Sequence, residues 1–136
     1  MHNRVVAAVA LIVVITGCSE EQKPERAKVA KITVDGNTQT AHEISCTQVN
    51  FAMTIKTTSG TTRTAIFLEI GGEKPIAKTV NISNFEGFNG VAGEGVGQAD
   101  VSLANGDFVI AGTAEGYGPG NPGKKRSAPF RIETSC

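Results

Sequence analysis

A chain of 136 residues has room for one domain and little else. Its 13 basic and 13 acidic side chains balance, which argues against a nucleic-acid binder that works by phosphate neutralisation. Sixteen glycines favour turns and extended structure over long helices, and three cysteines leave one over if two of them pair.

Residues 1–17 read as a targeting segment. Met1 to Arg4 carries one positive charge, and Val5 to Ile15 is an uncharged, almost wholly aliphatic run. As a helix that run spans only about half of a bilayer core, so it is a signal-peptide core and not a transmembrane span. It ends in Ile15-Thr16-Gly17-Cys18, which resembles a bacterial lipobox. The resemblance implies cleavage before Cys18, a diacylglyceryl thioether on its sulfur and an acyl chain on its new amino group. Two or more chains anchor stably where one does not. An ordinary signal peptide with Cys18 near the cut is the alternative. Loss of the segment removes Arg4 and no acid, which leaves the exported chain one acid in excess.

Residues 18–27 follow as the lipidated Cys and a polar tether, Ser19 to Ala27, that includes Pro24 and shows no apolar period. Nine such residues reach about 16 Å. Residues 28–136 are then the folded domain.

From Lys28 onward short extended runs alternate with Gly, Asn and Asp. Lys31-Ile32-Thr33-Val34 runs into an Asp35-Gly36 turn. A hairpin about Ser59-Gly60 would set Val49, Phe51 and Met53 against Ile70, Leu68 and Ile66 on one buried face. The same register opposes Lys56 and Arg63 on a wet face. Ile76 to Ile82 is a further strand candidate. Asn105-Gly106 predicts a hairpin with Leu103 opposite Phe108 and Val101 opposite Ile110. In Ala128 to Ser135, Phe130 and Ile132 alternate with Arg131 and Glu133. Together these predict an all-β fold, a small antiparallel sandwich or partly open barrel, preceded by a signal helix and short tether.

Two segments read as surface loops. Asn84 to Gly97 holds Phe85, Phe88 and a glycine cluster; Gly116 to Ser127 holds Tyr117 and the triplet Lys124, Lys125 and Arg126. Phe85, Phe88 and Tyr117 are candidate contact residues, against the plainer reading that such aromatics cap a core. Lys124, Lys125 and Arg126 could touch anionic head groups or an acidic envelope polymer, against the plainer reading of a solvated loop.

With Cys18 lipidated, Cys46 and Cys136 remain, and in an exported chain they should pair. Two free thiols are the alternative. Cys136 shares the parity of Phe130 and Ile132, so it should point inward. Cys46 shares the parity of Ile44 but not of Val49, which asks for a bulge or bend between them.

No residue set reads as an active site. Gly93-Glu94-Gly95-Val96-Gly97 leads into a strand candidate and lacks phosphate-loop spacing. Asn81-Ile82-Ser83 matches a glycosylation sequon by chance. His42 is the one histidine after Cys18, too few for an ordinary zinc set. The expectation is no catalysis, no metal and no cofactor. Two rivals stand beside it: a carrier or sensor of an envelope lipid or other apolar ligand, which needs an open aliphatic pocket, and a hydrolase built around His42.

The segments in order resemble the mycobacterial 19 kDa lipoprotein antigen family (LpqH-like). They are the lipobox at Cys18, Lys31 to Gly36, Ile44-Ser45-Cys46-Thr47, Gly95 to Ala99, Ile110 to Gly116, Asn121-Pro122 and Phe130 to Cys136. The resemblance implies a surface-exposed envelope lipoprotein on the extracytoplasmic membrane face, with Cys46 and Cys136 bridged and no enzymatic activity. It further implies sensing of the acylated terminus by host Toll-like receptor 2 and an antigen or adhesin role. The charged tether departs from the Thr/Ser/Ala/Gly-rich, glycosylatable linker of that family.

Overall fold

Ten strands account for most of residues 28–136, the part of the chain that the computed structural model describes. They are β1 (Ala30–Val34), β2 (Asn37–Ala41), β3 (Glu43–Val49), β4 (Ala52–Ser59), β5 (Thr62–Glu69), β6 (Ile76–Phe85), β7 (Phe88–Gly93), β8 (Gln98–Ala104), β9 (Asp107–Tyr117) and β10 (Lys125–Thr134). The fold is all-β, and every described strand pair is antiparallel.

Three hairpins share one turn geometry. Asp35-Gly36, Glu86-Gly87 and Asn105-Gly106 all place both turn residues at positive φ, the conformation that matches the twist of two-residue hairpins. The Asn105-Gly106 hairpin has the expected register, with Leu103 opposite Phe108 and Val101 opposite Ile110.

The strands run in the order β2-β1-β10-β9-β7-β6-β5-β4-β3, with β8 also paired to β9. The two edges, β2 and β3, are successive pieces of one segment joined through His42. β2 pairs with β1 and β3 with β4, so this segment nearly closes the sheet into a barrel. Ser59 Oγ donates to the Thr40 carbonyl across the seam at 3.2 Å.

The interior follows the period of two. On β5, Thr62, Thr64, Ile66 and Leu68 are buried, while Arg63, Phe67 and Glu69 face out. Ile32, Ile55, Val80, Ile82, Ile110 and Ile132 complete the aliphatic centre. A buried polar pair is self-satisfying: the Thr57 and Thr64 hydroxyls share a hydrogen bond at 2.5 Å.

Several expectations are corrected. The β4–β5 turn is Gly60-Thr61, so the register is shifted by two: Met53 meets Leu68 and Ile55 meets Ile66. Lys56 therefore faces Ala65, and Arg63 faces Thr58, with no like-charge pair directly opposed. Val49 and Phe51 do not join the core. The chain reverses at Asn50 (φ 53°), which ends β3 and leaves both side chains exposed. Since Val49 simply faces outward, β3 and β4 pair without the expected bulge. Asn84 to Gly97 is a surface connection only over residues 94–97, because β6 and β7 form a hairpin about Glu86-Gly87 with Phe85 opposite Phe88. Both rings are buried at that end of the core. The next loop is shorter than expected. Tyr117 lies on β9, and Lys125 and Arg126 lie on β10, leaving Lys124 in the connection.

Candidate functional site

The largest described cavity is an open groove of about 680 Å³ on the outer face of the sheet. Its floor is set by register. Lys56, Ala65, Asn81, Val91 and Glu115 form one row across β4, β5, β6, β7 and β9. Five strands at about 4.8 Å spacing make that row about 19 Å wide. Arg63 and Ser83 form the next row toward one end, and Tyr117 stands at the far side, 48% exposed. These side chains point out because their strand neighbours point in.

The groove lining is mixed, with Lys56, Arg63, Asn81 and Glu115 beside Ala65, Val91 and Tyr117, and its charges are unevenly spread. Lys125 donates to the Glu115 carboxylate at 3.0 Å beside Tyr117. That hydrogen bond, with the attraction behind it, holds the lysine pKa above its ordinary 10.5. Lys56 and Arg63 have no ion-pair partner among the described residues. An open concave face with hydrogen-bonding side chains, two free cations and one aromatic ring suits contact with a polar partner. It offers no enclosed aliphatic volume for a carried lipid.

Arg126 behaves differently from its neighbours. It pairs with Asp35 of the β1–β2 turn, and its guanidinium lies 5.1 Å from the Phe88 ring centre. Gly116, opposite Arg126 on β9, is needed here. A Cβ at Gly116 would lie 1.8 Å from the Asn89 carbonyl oxygen. Arg126, Asp35, Phe85 and Phe88 thus cap one end of the barrel, and the basic triplet is divided. Arg126 serves the fold, Lys125 borders the groove, and Lys124 is exposed.

Cys46 and Cys136 are bridged, with Cα atoms 5.8 Å apart. Both residues are exposed, which corrects the inward placement of Cys136: β10 ends at Thr134, and strand parity ends with it. His42 is exposed in the one-residue link between β2 and β3. No group of three or more His, Cys, Asp or Glu side chains among the described residues could hold a metal. Cys18 lies outside the described residues.

The sequence places Lys56 and Arg63 on a wet face, but nothing linear joins them to Asn81 and Ser83 as one groove. These residues come from three strands, and only the pairing register gathers them. Asp35 reads as a turn residue, and nothing in the sequence links it to Arg126.

Comparison with known proteins bears on this arrangement. Residues 23–136 match the family described as Mycobacterium 19 kDa lipoprotein antigen. A putative lipoprotein of Mycobacterium avium subsp. hominissuis is 34% identical over 140 residues, covering all of this chain and 97% of the relative. A putative lipoprotein of Mycobacterium indicus pranii is 30% identical over 139 residues, covering both chains fully. The probable lipoprotein LppE of Mycobacterium tuberculosis is 30% identical over 141 residues, again over both full lengths.

Proposed function

The chain belongs to the mycobacterial 19 kDa lipoprotein antigen family, and from that membership we propose a non-catalytic, lipid-anchored contact protein on the extracytoplasmic face of the envelope. Cys18 carries the diacylglyceryl and N-acyl chains. The β domain presents its outer groove, with Tyr117, Lys125, Lys56 and Arg63, to a polar partner. The acylated terminus is the part sensed by host Toll-like receptor 2.

The observation that carries this reading is the position of Cys18, directly after Ile15-Thr16-Gly17 and nine residues before a compact domain. That domain has a filled interior, with Ile32, Ile55, Ile66, Ile110 and Ile132 fully buried. A carrier of an apolar ligand would need that volume open. A hydrolase would need a cleft around His42, which instead lies exposed between two strands.

Reporter cells bearing Toll-like receptor 2 test the immunomodulatory part. Wild-type protein purified from membranes should activate them, and the Cys18→Ala variant should not. Equal activation by both would contradict the proposal. Native mass spectrometry of protein taken from its own envelope tests the rest: a co-purifying lipid held without covalent attachment would favour a carrier.

A further inference from the structure

A second surface lies away from the groove. Val49 is 65% exposed, Phe51 67%, Ile76 51% and Phe67 39%. Register gathers them at one corner. Val49, Ala52, Glu69 and Ile76 form a single row across β3, β4, β5 and β6, and Phe67 is the next outward residue on β5. A mainly apolar cleft of about 460 Å³ runs along Val49, Phe51, Met53 and Phe67, with Glu69 and Lys78 also in its lining. Contiguous exposed apolar surface of this kind marks a contact site more often than scattered single residues do.

Phe51 is held in place. The Ile70 amide donates to the Phe51 carbonyl at 2.8 Å. Its ring lies against Gly71, where an added Cβ would come within 2.6 Å. The turn itself is made by Asn50 at positive φ, and turn chemistry asks for no phenylalanine beside it.

The described chain begins on the side of the domain that holds Cys136. β1 runs antiparallel to β10, with Lys31 opposite Glu133, so the chain before Ala30 leads toward Cys136. Cys136 is bridged to Cys46, and five further residues along the β3–β4 hairpin reach Phe51, about 16 Å at the rise of a strand. Nine residues separate Cys18 from Lys28 and reach about the same distance. An anchor at Cys18 therefore keeps the corner within reach of the bilayer at high effective concentration.

We propose that the corner formed by Val49, Phe51, Phe67 and Ile76 seats in the headgroup region of the membrane that holds the Cys18 lipid, as a second, non-covalent contact with lipid. This rests on the anchor reading above. Along β5, Glu69 lies at the seated corner and Arg63 at the groove, about 20 Å away. Seating therefore turns the groove and Tyr117 away from the membrane.

The chain has no tryptophan, so Phe51→Trp introduces a unique reporter. Full-length lipidated protein carrying Phe51→Trp is reconstituted into phosphatidylcholine–phosphatidylglycerol vesicles, with acyl-chain bromine placed near the glycerol. Vesicle flotation is measured on the same samples, and Tyr117→Trp serves as the comparison. The seated corner predicts flotation, loss of most Phe51→Trp emission to the brominated lipid, and unaltered Tyr117→Trp emission that aqueous iodide quenches. Protein that floats while Phe51→Trp stays open to iodide and untouched by bromine overturns the seat alone. Protein that does not float overturns the anchor and the seat with it.

Discussion

Cys46 on β3 and Cys136 just beyond β10 are joined across 90 residues of sequence, at the seam where the nearly closed sheet meets itself. The bridge ties an edge strand to the end of an inner one. In the chain-entropy account a loop of that length stabilises the fold by about 4–5 kcal/mol, less any native strain. Urea unfolding of Cys46→Ser/Cys136→Ser should show a loss of several kcal/mol against the oxidised wild type. An unchanged midpoint would contradict a bridge at the seam.

Ile55 is fully buried, whereas Phe51, four residues earlier and of the same parity, is exposed beside the Asn50 turn. Ile55→Ala should cost about 2–5 kcal/mol, because the side chain is fully buried and leaves a cavity. Val49→Ala should stay within about 0.5 kcal/mol, as for other exposed positions. Comparable losses at both sites, measured in urea, would show that Val49 packs in the core and is not exposed beside the Asn50 turn.

The glycines of β9 are steric requirements. Gly116→Ala would drive a methyl group into the backbone of β7, so it should lose about 3 kcal/mol or more, or fail to fold. Gly120→Ala meets nothing within 4 Å and should fold normally. Thermal melts of the two variants separate these outcomes.

Lys78 lies between Glu94 and Glu69, and its hydrogen bond to Glu94, then that to Glu69, raises its pKa above 10.5. A raised lysine pKa gives stability that is fully present below the unfolded value and is lost as pH rises through the folded one. The pair is solvent-exposed, so the effect is small. The stability difference between wild type and Lys78→Met should be constant from pH 6 to 9 and should shrink only above 10.5. A difference that changes through neutral pH would contradict this assignment.

Much of the fold is legible in local pattern. Asn105-Gly106 fixes its hairpin register because both residues tolerate positive φ, and Phe130 and Ile132 alternate inward as a half-buried strand must. The β4–β5 register slips by two in the sequence reading because such a shift keeps every side chain on its face. Only the choice between two adjacent turns distinguishes the registers. Glu86-Gly87 escapes notice because glutamate rarely adopts positive φ, so Phe85 and Phe88 read as loop residues. The Arg126–Asp35 cap and the groove floor depend on strands distant in sequence, and no spacing encodes them.

The central claim is that Cys18 is a lipidated amino terminus that holds the β domain at the membrane. Intact-mass and peptide mass spectrometry of protein extracted from the membrane fraction tests this most directly. The account predicts a chain that starts at Cys18 and bears a diacylglyceryl thioether and an N-acyl group. A mature terminus elsewhere, or an unmodified Cys18 thiol, would contradict it.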